Sequence, residues 1–153
     1  VGRSDPDKLE AADALRAHEG VEEVVLVSKP YKFVAREARG TTAKSVVDLG
    51  NGVSIGGTES VLMAGPCTVE SEEQLFLSAA AVAAEGATIL RGGAYKPSTS
   101  PYAFHGMGRP GLQLLRAAAD QFGMKMITEV MHVRKVDEVA EFADILQIGT
   151  RNM

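Results

Sequence analysis

Tryptophan is absent, cysteine occurs once, and aromatic side chains make up 5% of the 153 residues. A single cysteine excludes an internal disulfide framework and fits a reducing compartment. No apolar run approaches the ~20 residues needed to cross a bilayer, so no membrane is expected as a partner. The N-terminal VGRSDPDKLE has no hydrophobic signal core, which makes the cytoplasm the expected location. Positive charge is not in excess either: 16 Lys and Arg stand against 20 Asp and Glu, for a net charge of −4. Nucleic acid, whose phosphates call for a clustered basic face, is therefore not an expected partner. His18, His105 and His132 show no metal-binding spacing and read as surface residues. No nucleotide-binding glycine fingerprint occurs. Ser98, Thr99 and Ser100 have no nearby histidine to build a hydrolytic triad.

What remains is an ordinary globular composition, 45% hydrophobic and 24% charged. Residues 4–18 predict a helix, capped by Ser4 or Asp5, with Pro6 in its first turn and Gly20 at its end. The β-branched run Val21 to Ser28 predicts a strand. One helix and one strand cannot bury a core, so this segment reads as the tail of a domain. A basic linker, Lys29 to Arg39, follows. Ser45 to Leu49 and Val53 to Ile55 flank Gly50-Asn51-Gly52, a turn signal that predicts a small β-hairpin.

From residue 60 the rhythm becomes strand, loop, helix, repeated. Strands are expected at 60–64, 88–90, 124–128 and 144–148. Helix 71–85 opens with Ser71 and Gln74 at capping-box spacing and puts Leu75, Ala79 and Val82 on one face. Helix 110–122 starts at Pro110, aligns Leu112, Leu115, Ala119 and Phe122, and closes at Gly123. Helix 132–143 is expected to align Val133, Val136, Val139 and Ala143. Alternating elements of this kind predict an α/β protein with a parallel sheet. The nearly continuous apolar strands predict that both sheet faces are covered. A doubly wound sheet and a (β/α)₈ barrel both satisfy the pattern.

Polar residues sit directly after each expected strand. Gly65-Pro66-Cys67 follows the first; Arg91, Gly92-Gly93 and Lys96 follow the second; Glu129 follows the third; Gly149-Thr150-Arg151-Asn152 follows the fourth. In a barrel these positions share the C-terminal face, where active sites are built. In an open sheet they spread along one edge. Neighbouring strands lie ~5 Å apart, so Arg91, Lys96 and Arg151 can converge on one ligand. Gathering such cations without a counter-charge is unfavourable by about 2 kcal/mol per pair at ~7 Å and an effective dielectric near 20. A small, multiply charged anion removes that penalty, with Arg offering a planar fork and Lys a point charge. Taken singly, each Arg reads better as a solvated strand-end charge, and Cys67 as a small buried hydrophobe. Four consecutive strand ends behaving alike favour the shared site.

Ala64-Gly65-Pro66-Cys67, Val69-Glu70-Ser71, Leu90 to Pro97 (LRGGAYKP), Thr99-Ser100-Pro101-Tyr102, Thr128-Glu129-Val130 and Gln147 to Met153 (QIGTRNM) occur in this order. The ordered set resembles the 3-deoxy-D-arabino-heptulosonate 7-phosphate synthases, in the branch with a ferredoxin-like domain ahead of the barrel. The resemblance covers nearly the whole chain. It implies the first half of a (β/α)₈ barrel, residues 40–153 with the hairpin, preceded by a ferredoxin-like remnant and linker over 1–39. It implies condensation of phosphoenolpyruvate with erythrose 4-phosphate and release of phosphate, the first step of the shikimate pathway to aromatic amino acids. By the same resemblance Cys67 is one ligand of a catalytic divalent metal ion. Arg91, Lys96 and Arg151 hold phosphoenolpyruvate, Thr99 holds the aldehyde's phosphate, and Glu129 belongs to the active-site rim. Lys96, Arg91 and Glu129 are thus the candidate catalytic residues. A homo-oligomer and a chorismate mutase partner are the expected assemblies.

Two departures from the family pattern stand out. Ser98 occupies a position where the family has Arg, which predicts weaker binding of the phosphorylated aldehyde than in a Ser98→Arg form. Four strands are expected where the family has eight, and one thiolate cannot make a catalytic metal site. The chain is therefore expected to be a piece of the enzyme, inactive by itself. An octulosonate 8-phosphate synthase shares the Gly-Pro-Cys start, but its loop typically reads Lys-Ala-Asn-Arg-Ser-Ser where this chain has Lys96-Pro97-Ser98-Thr99-Ser100-Pro101. A non-catalytic subunit that binds a phosphometabolite is the alternative outside enzymes.

Overall fold

The structure, a computed structural model, describes residues 5–24, 45–97, 100 and 102–150. The chain divides into two compact units, Val1–Ser45 and Val46–Met153. Among the described residues no helix is long and apolar enough to cross a membrane.

In the first unit, helix α1 (Asp5–Arg16) buries Ala12. Arg16 closes its last turn with an ion pair to Asp13 at 2.7 Å and a hydrogen bond to the Val24 carbonyl. The expected strand from Val21 does not form over Val21 to Val24. Val21, Glu22 and Glu23 are exposed, and no neighbouring strand among the described residues offers them a ladder. Residues 25–28 of that expectation, and the linker 29–39, lie outside the described residues.

The second unit begins with the expected hairpin. Strand β1 (Val47–Asp48) pairs antiparallel with β2 (Ser54–Ile55) in the register Val47 to Ile55. Asn51 takes a left-handed backbone conformation in the turn, and the Asp48 carboxylate accepts from the Gly50 N–H at 2.8 Å.

A four-stranded sheet follows, all parallel, in the sequential order β3 (Met63–Ala64), β4 (Ile89–Arg91), β5 (Lys125–Val130), β6 (Ile145–Ile148). Helices α2 (Glu72–Ala84) and α3 (Arg109–Gln121) connect the first three strands. The Ser71 hydroxyl caps α2 by accepting from the Gln74 N–H, and the Gln74 side chain accepts in turn from the Glu70 N–H. Pro110 lies in the first turn of α3. Between β5 and β6 the expected long helix is broken. His132 caps a 3₁₀ turn (Val133–Lys135) through its Nδ1, and only then does the short α4 (Val136–Ala140) begin. This shifts the helical phase, leaving Val133 78% exposed while Val139 is buried.

One hydrophobic cluster fixes the layering. Leu90, Met126 and Val130 of the sheet meet Leu75 and Ala79 of α2, Leu112, Leu115 and Ala119 of α3, and Val139 of α4. The helices therefore cover one face of the sheet. By strand alternation, Met63, Ile89, Arg91, Lys125, Ile127, Glu129, Ile145 and Gln147 belong to the other face. Burial along β5 alternates accordingly, with Met126, Thr128 and Val130 buried. The expectation that every strand is covered on both faces is not met: Met63 is 40% and Ile148 57% exposed. Sequential order with helices on one face differs from a doubly wound sheet, whose order reverses at a switch point.

Candidate functional site

Parallel, consecutive strands bring the C-terminal ends of β3, β4, β5 and β6 side by side. The loop leaving β3 is drawn hard against β4. A Cβ on Gly65, whose φ is +149°, would stand 2.0 Å from the Arg91 carbonyl oxygen, and one on Gly93 would stand 2.7 Å from that of Cys67. The Val69 N–H donates to the Gly93 carbonyl at 2.9 Å. The buried Thr128 hydroxyl donates to the Gly92 carbonyl at 2.6 Å and ties β5 to the same turn. Glycine at 65 and 93 is thus required by backbone contact.

Arg91 ends β4 inside the strand, not after it, and points to the face opposite the helices. Its Nη1 donates to the carbonyls of Pro66 (3.4 Å) and Cys67 (3.1 Å), and its Nε donates to Oε1 of Gln147 (3.4 Å). The Gln147 amide donates in turn to Oε2 of Glu129 at 3.3 Å. Glu129 likewise lies within β5, beside Gln147 in the register. Three adjacent strands therefore deliver an Arg, a Gln and a Glu to one hydrogen-bonded chain.

Cys67 is exposed, which overturns its reading as a buried hydrophobe. Its thiol is held below its ordinary value by hydrogen bonding with Thr68 and with Arg91, which outweighs the opposing effect of burial, with lesser help from the positive charges of Arg91 and Lys96. A thiol so placed favours the thiolate, the form that binds metal. Lys96 is exposed, and its backbone N–H donates to the His105 carbonyl at 2.9 Å. Together with Gly108 N–H to the Ala94 carbonyl, this folds loop 92–108 onto itself. That loop is several times longer than the usual 2–6 residues, as functional loops are.

Cys67, Arg91, Lys96 and Glu129 thus share one end of the sheet. Thr99, Arg151 and the divergent Ser98 lie outside the described residues. Among the described residues no group of three His, Cys, Asp or Glu side chains could hold a metal ion. Cys67 is chemically suited as a single donor, and those residues do not by themselves complete a metal site. Sequence reasoning missed Gln147 as the link between Arg91 and Glu129. Its signal was being the one polar residue in the run Ile145 to Ile148.

Residues 39–153 match the DAHP synthetase I family. The chain is 46% identical over 152 residues to the phospho-2-dehydro-3-deoxyheptonate aldolase of Thermotoga maritima, covering 99% of this chain and 44% of that protein. It is 34% identical over 95 residues to a 2-dehydro-3-deoxyphosphooctonate aldolase of Campylobacter jejuni subsp. doylei, covering 58% of this chain and 36% of that one. The crystal structure of the Thermotoga maritima DAHP synthase superposes with a TM-score of 0.73 at 47% identity, covering 92% of this chain and 40% of that chain. The chain spans less than half the length of the relatives it matches.

Proposed function

The chain belongs to the DAHP synthetase I family, and from that premise we propose that its protein condenses phosphoenolpyruvate with erythrose 4-phosphate and releases inorganic phosphate. The observation that carries this reading is the fixed guanidinium of Arg91, held by Pro66, Cys67 and Gln147 where three parallel strands end. A planar cation locked in place by neutral acceptors is preorganised for a carboxylate or phosphate.

In this reading Arg91 and Lys96 grip phosphoenolpyruvate, with Arg151 completing the anion site and Thr99 receiving the phosphate of the aldehyde. The C=C π pair of phosphoenolpyruvate forms the bond to the aldehyde carbon while the carbonyl π pair moves to the aldehyde oxygen, which becomes a hydroxyl. Water adds at the neighbouring carbon, the bond from that carbon to the phosphate oxygen breaks as the ketone forms, and the two protons of the water end on the new hydroxyl and on the departing phosphate. Arg91 and Lys96 stabilise the charge that moves toward the departing phosphate. Glu129, oriented by Gln147, is the carboxylate that receives a proton from the entering water. Cys67 contributes one donor to a divalent metal ion, which when bound acts as a Lewis acid toward the aldehyde. With Ser98 in place of the family Arg, the aldehyde's phosphate is held more weakly than in the family pattern.

The sheet order and the one-sided helix layer support reading residues 40–153 as the hairpin and first half of a (β/α)₈ barrel, after a ferredoxin-like remnant and linker at 1–39. A cytoplasmic homo-oligomer, with chorismate mutase as a possible partner, belongs to the same proposal. Phosphate release by the complete protein tests it. Turnover with erythrose 4-phosphate is expected, and turnover only with arabinose 5-phosphate would reassign the protein to the octulosonate reaction. The 46% match over 99% of the chain favours the former.

A further inference from the structure

We infer that Tyr95 and Glu138 form a clasp that positions Lys96 from the outside of the site. Tyr95 immediately precedes Lys96 in loop 92–108. Its hydroxyl donates to Oε1 of Glu138 in α4 at 2.9 Å, a contact between residues 43 apart in sequence. Glu138 is also paired with Lys135, through its other carboxylate oxygen. The Lys135 ammonium lies 5.4 Å from the centroid of the Tyr95 ring, so the phenol is gripped at its hydroxyl and its face together. The ring also meets Gly108, where an added Cβ would stand 3.5 Å from the ring edge.

The consequence follows from connectivity. Loop 92–108 is anchored at Gly93 by the Val69 N–H and is crossed by the Lys96 N–H to His105 carbonyl bond. Those contacts fix the loop's backbone on the β3 side and within itself. Tyr95 fixes it toward the segment that follows β5. Lys96, exposed and carrying a long flexible chain, needs its backbone held on both sides if its ammonium is to act as a preorganised charge. Burial and the hydrogen bond to Glu138 raise the phenol's proton affinity, so Tyr95 stays a donor at neutral pH. Lys135 and Tyr95 keep the Glu138 carboxyl below its ordinary range, so it stays an acceptor. Neither Tyr95 nor Glu138 is assigned a contact with substrate; both act through Lys96. The identity of the ligand, though not the clasp, rests on the reading under Proposed function.

The test uses the complete protein and its Tyr95→Phe, Glu138→Ala and Glu138→Gln variants. Tyr95→Phe keeps the ring and removes one hydrogen bond, so the dissociation constant for phosphoenolpyruvate, measured by calorimetry, is expected to rise about three- to tenfold. Hydrogen exchange at the Lys96 amide is expected to quicken by a similar factor. Glu138→Ala should match Tyr95→Phe, and Glu138→Gln, which keeps an acceptor, should do less. In a Lys96→Ala background the Tyr95→Phe change should have no further effect on binding, because the two residues act through one group. Faster exchange with unchanged affinity, or an equal loss in the Lys96→Ala background, overturns the positioning role. Unchanged exchange overturns the clasp itself. A wild-type protein that fails to bind phosphoenolpyruvate overturns the functional reading and the ligand assignment, and leaves the exchange result to decide the clasp.

Discussion

The two ends of the sheet use charge in opposite ways. At the N-terminal end Arg116 of α3 pairs with Asp144 and Asp120, each at 2.7 Å, and Lys125 at the start of β5 lies 3.6 Å from Asp144. Asp144 also accepts from the Met126 N–H at 2.7 Å. At the C-terminal end Arg91 donates to the Pro66 and Cys67 carbonyls and to the Gln147 amide oxygen, with the Cys67 thiol beside it. Carboxylates pair with the first cluster's cations and, with the Phe142 and Met124 carbonyls that also accept from Arg116, hold α3 to the starts of β5 and β6. Among the described residues no carboxylate forms an ion pair with the second cation, which leaves its charge available to Cys67 and to a ligand. The same residue type therefore stabilises at one end and is available for recognition at the other.

Loss of Arg91 is the most damaging change at the C-terminal end. Arg91→Ala in the complete protein is expected to lower kcat/KM for phosphoenolpyruvate by at least about 100-fold, the usual weight of a fixed charge-stabilising donor. Melting temperature should move little, and a large drop in it would place Arg91 with the structural cations instead. Gly65→Ala should act on the backbone of the same end: a Cβ meeting the Arg91 carbonyl at 2.0 Å forces β3 and β4 apart. Destabilisation of about 3 kcal/mol is expected in denaturant unfolding; near-neutrality would show that the approach is not needed.

Asp144→Asn sharpens the other side, with an expected loss of about 1–2 kcal/mol in unfolding free energy and little change in substrate affinity. Burial opposes ionisation of Asp144, but the Met126 N–H and Arg116 outweigh it and hold the carboxyl below its ordinary value. A carboxyl depressed in the folded state stabilises fully above its unfolded pKa, about 3.9, and loses that contribution as pH falls through the folded value. Wild type should therefore lose more stability than Asp144→Asn between about pH 4 and pH 2. Parallel acid-unfolding curves would count against this.

How far the sequence disclosed these features depended on the range of the interactions involved. The Ser71–Gln74 cap, the Gly50-Asn51-Gly52 turn and the start of α3 at Pro110 are decided within a few residues, and each forms where the local pattern puts it. The convergence of Cys67, Arg91, Lys96 and Glu129 was legible because parallel strands deliver whatever follows them to one end. Strand boundaries were not. Arg91 and Glu129 looked like loop residues because they are charged, yet their backbones pair with Ile127 and with Gln147 in the ladder. The three-residue spacing of Val133, Val136 and Val139 fitted one continuous helix, and the His132 cap that interrupts its phase is a side-chain conformation without a sequence pattern of its own. Gln147 stayed hidden because its role depends on Arg91, 56 residues earlier, and on Glu129, 18 residues earlier.

The register also gives Arg91 unusual company. Its partner across the ladder is Ile127, which stands beside Ile145 in the next strand. That rung offers only hydrocarbon, and the oxygen atoms that orient the guanidinium belong to Pro66, Cys67 and Gln147, further toward the C-terminal end of the sheet. Two isoleucines with no polar atom in their side chains thus give the guanidinium no acceptor at its own rung, and its hydrogen bonds are made at the strand ends.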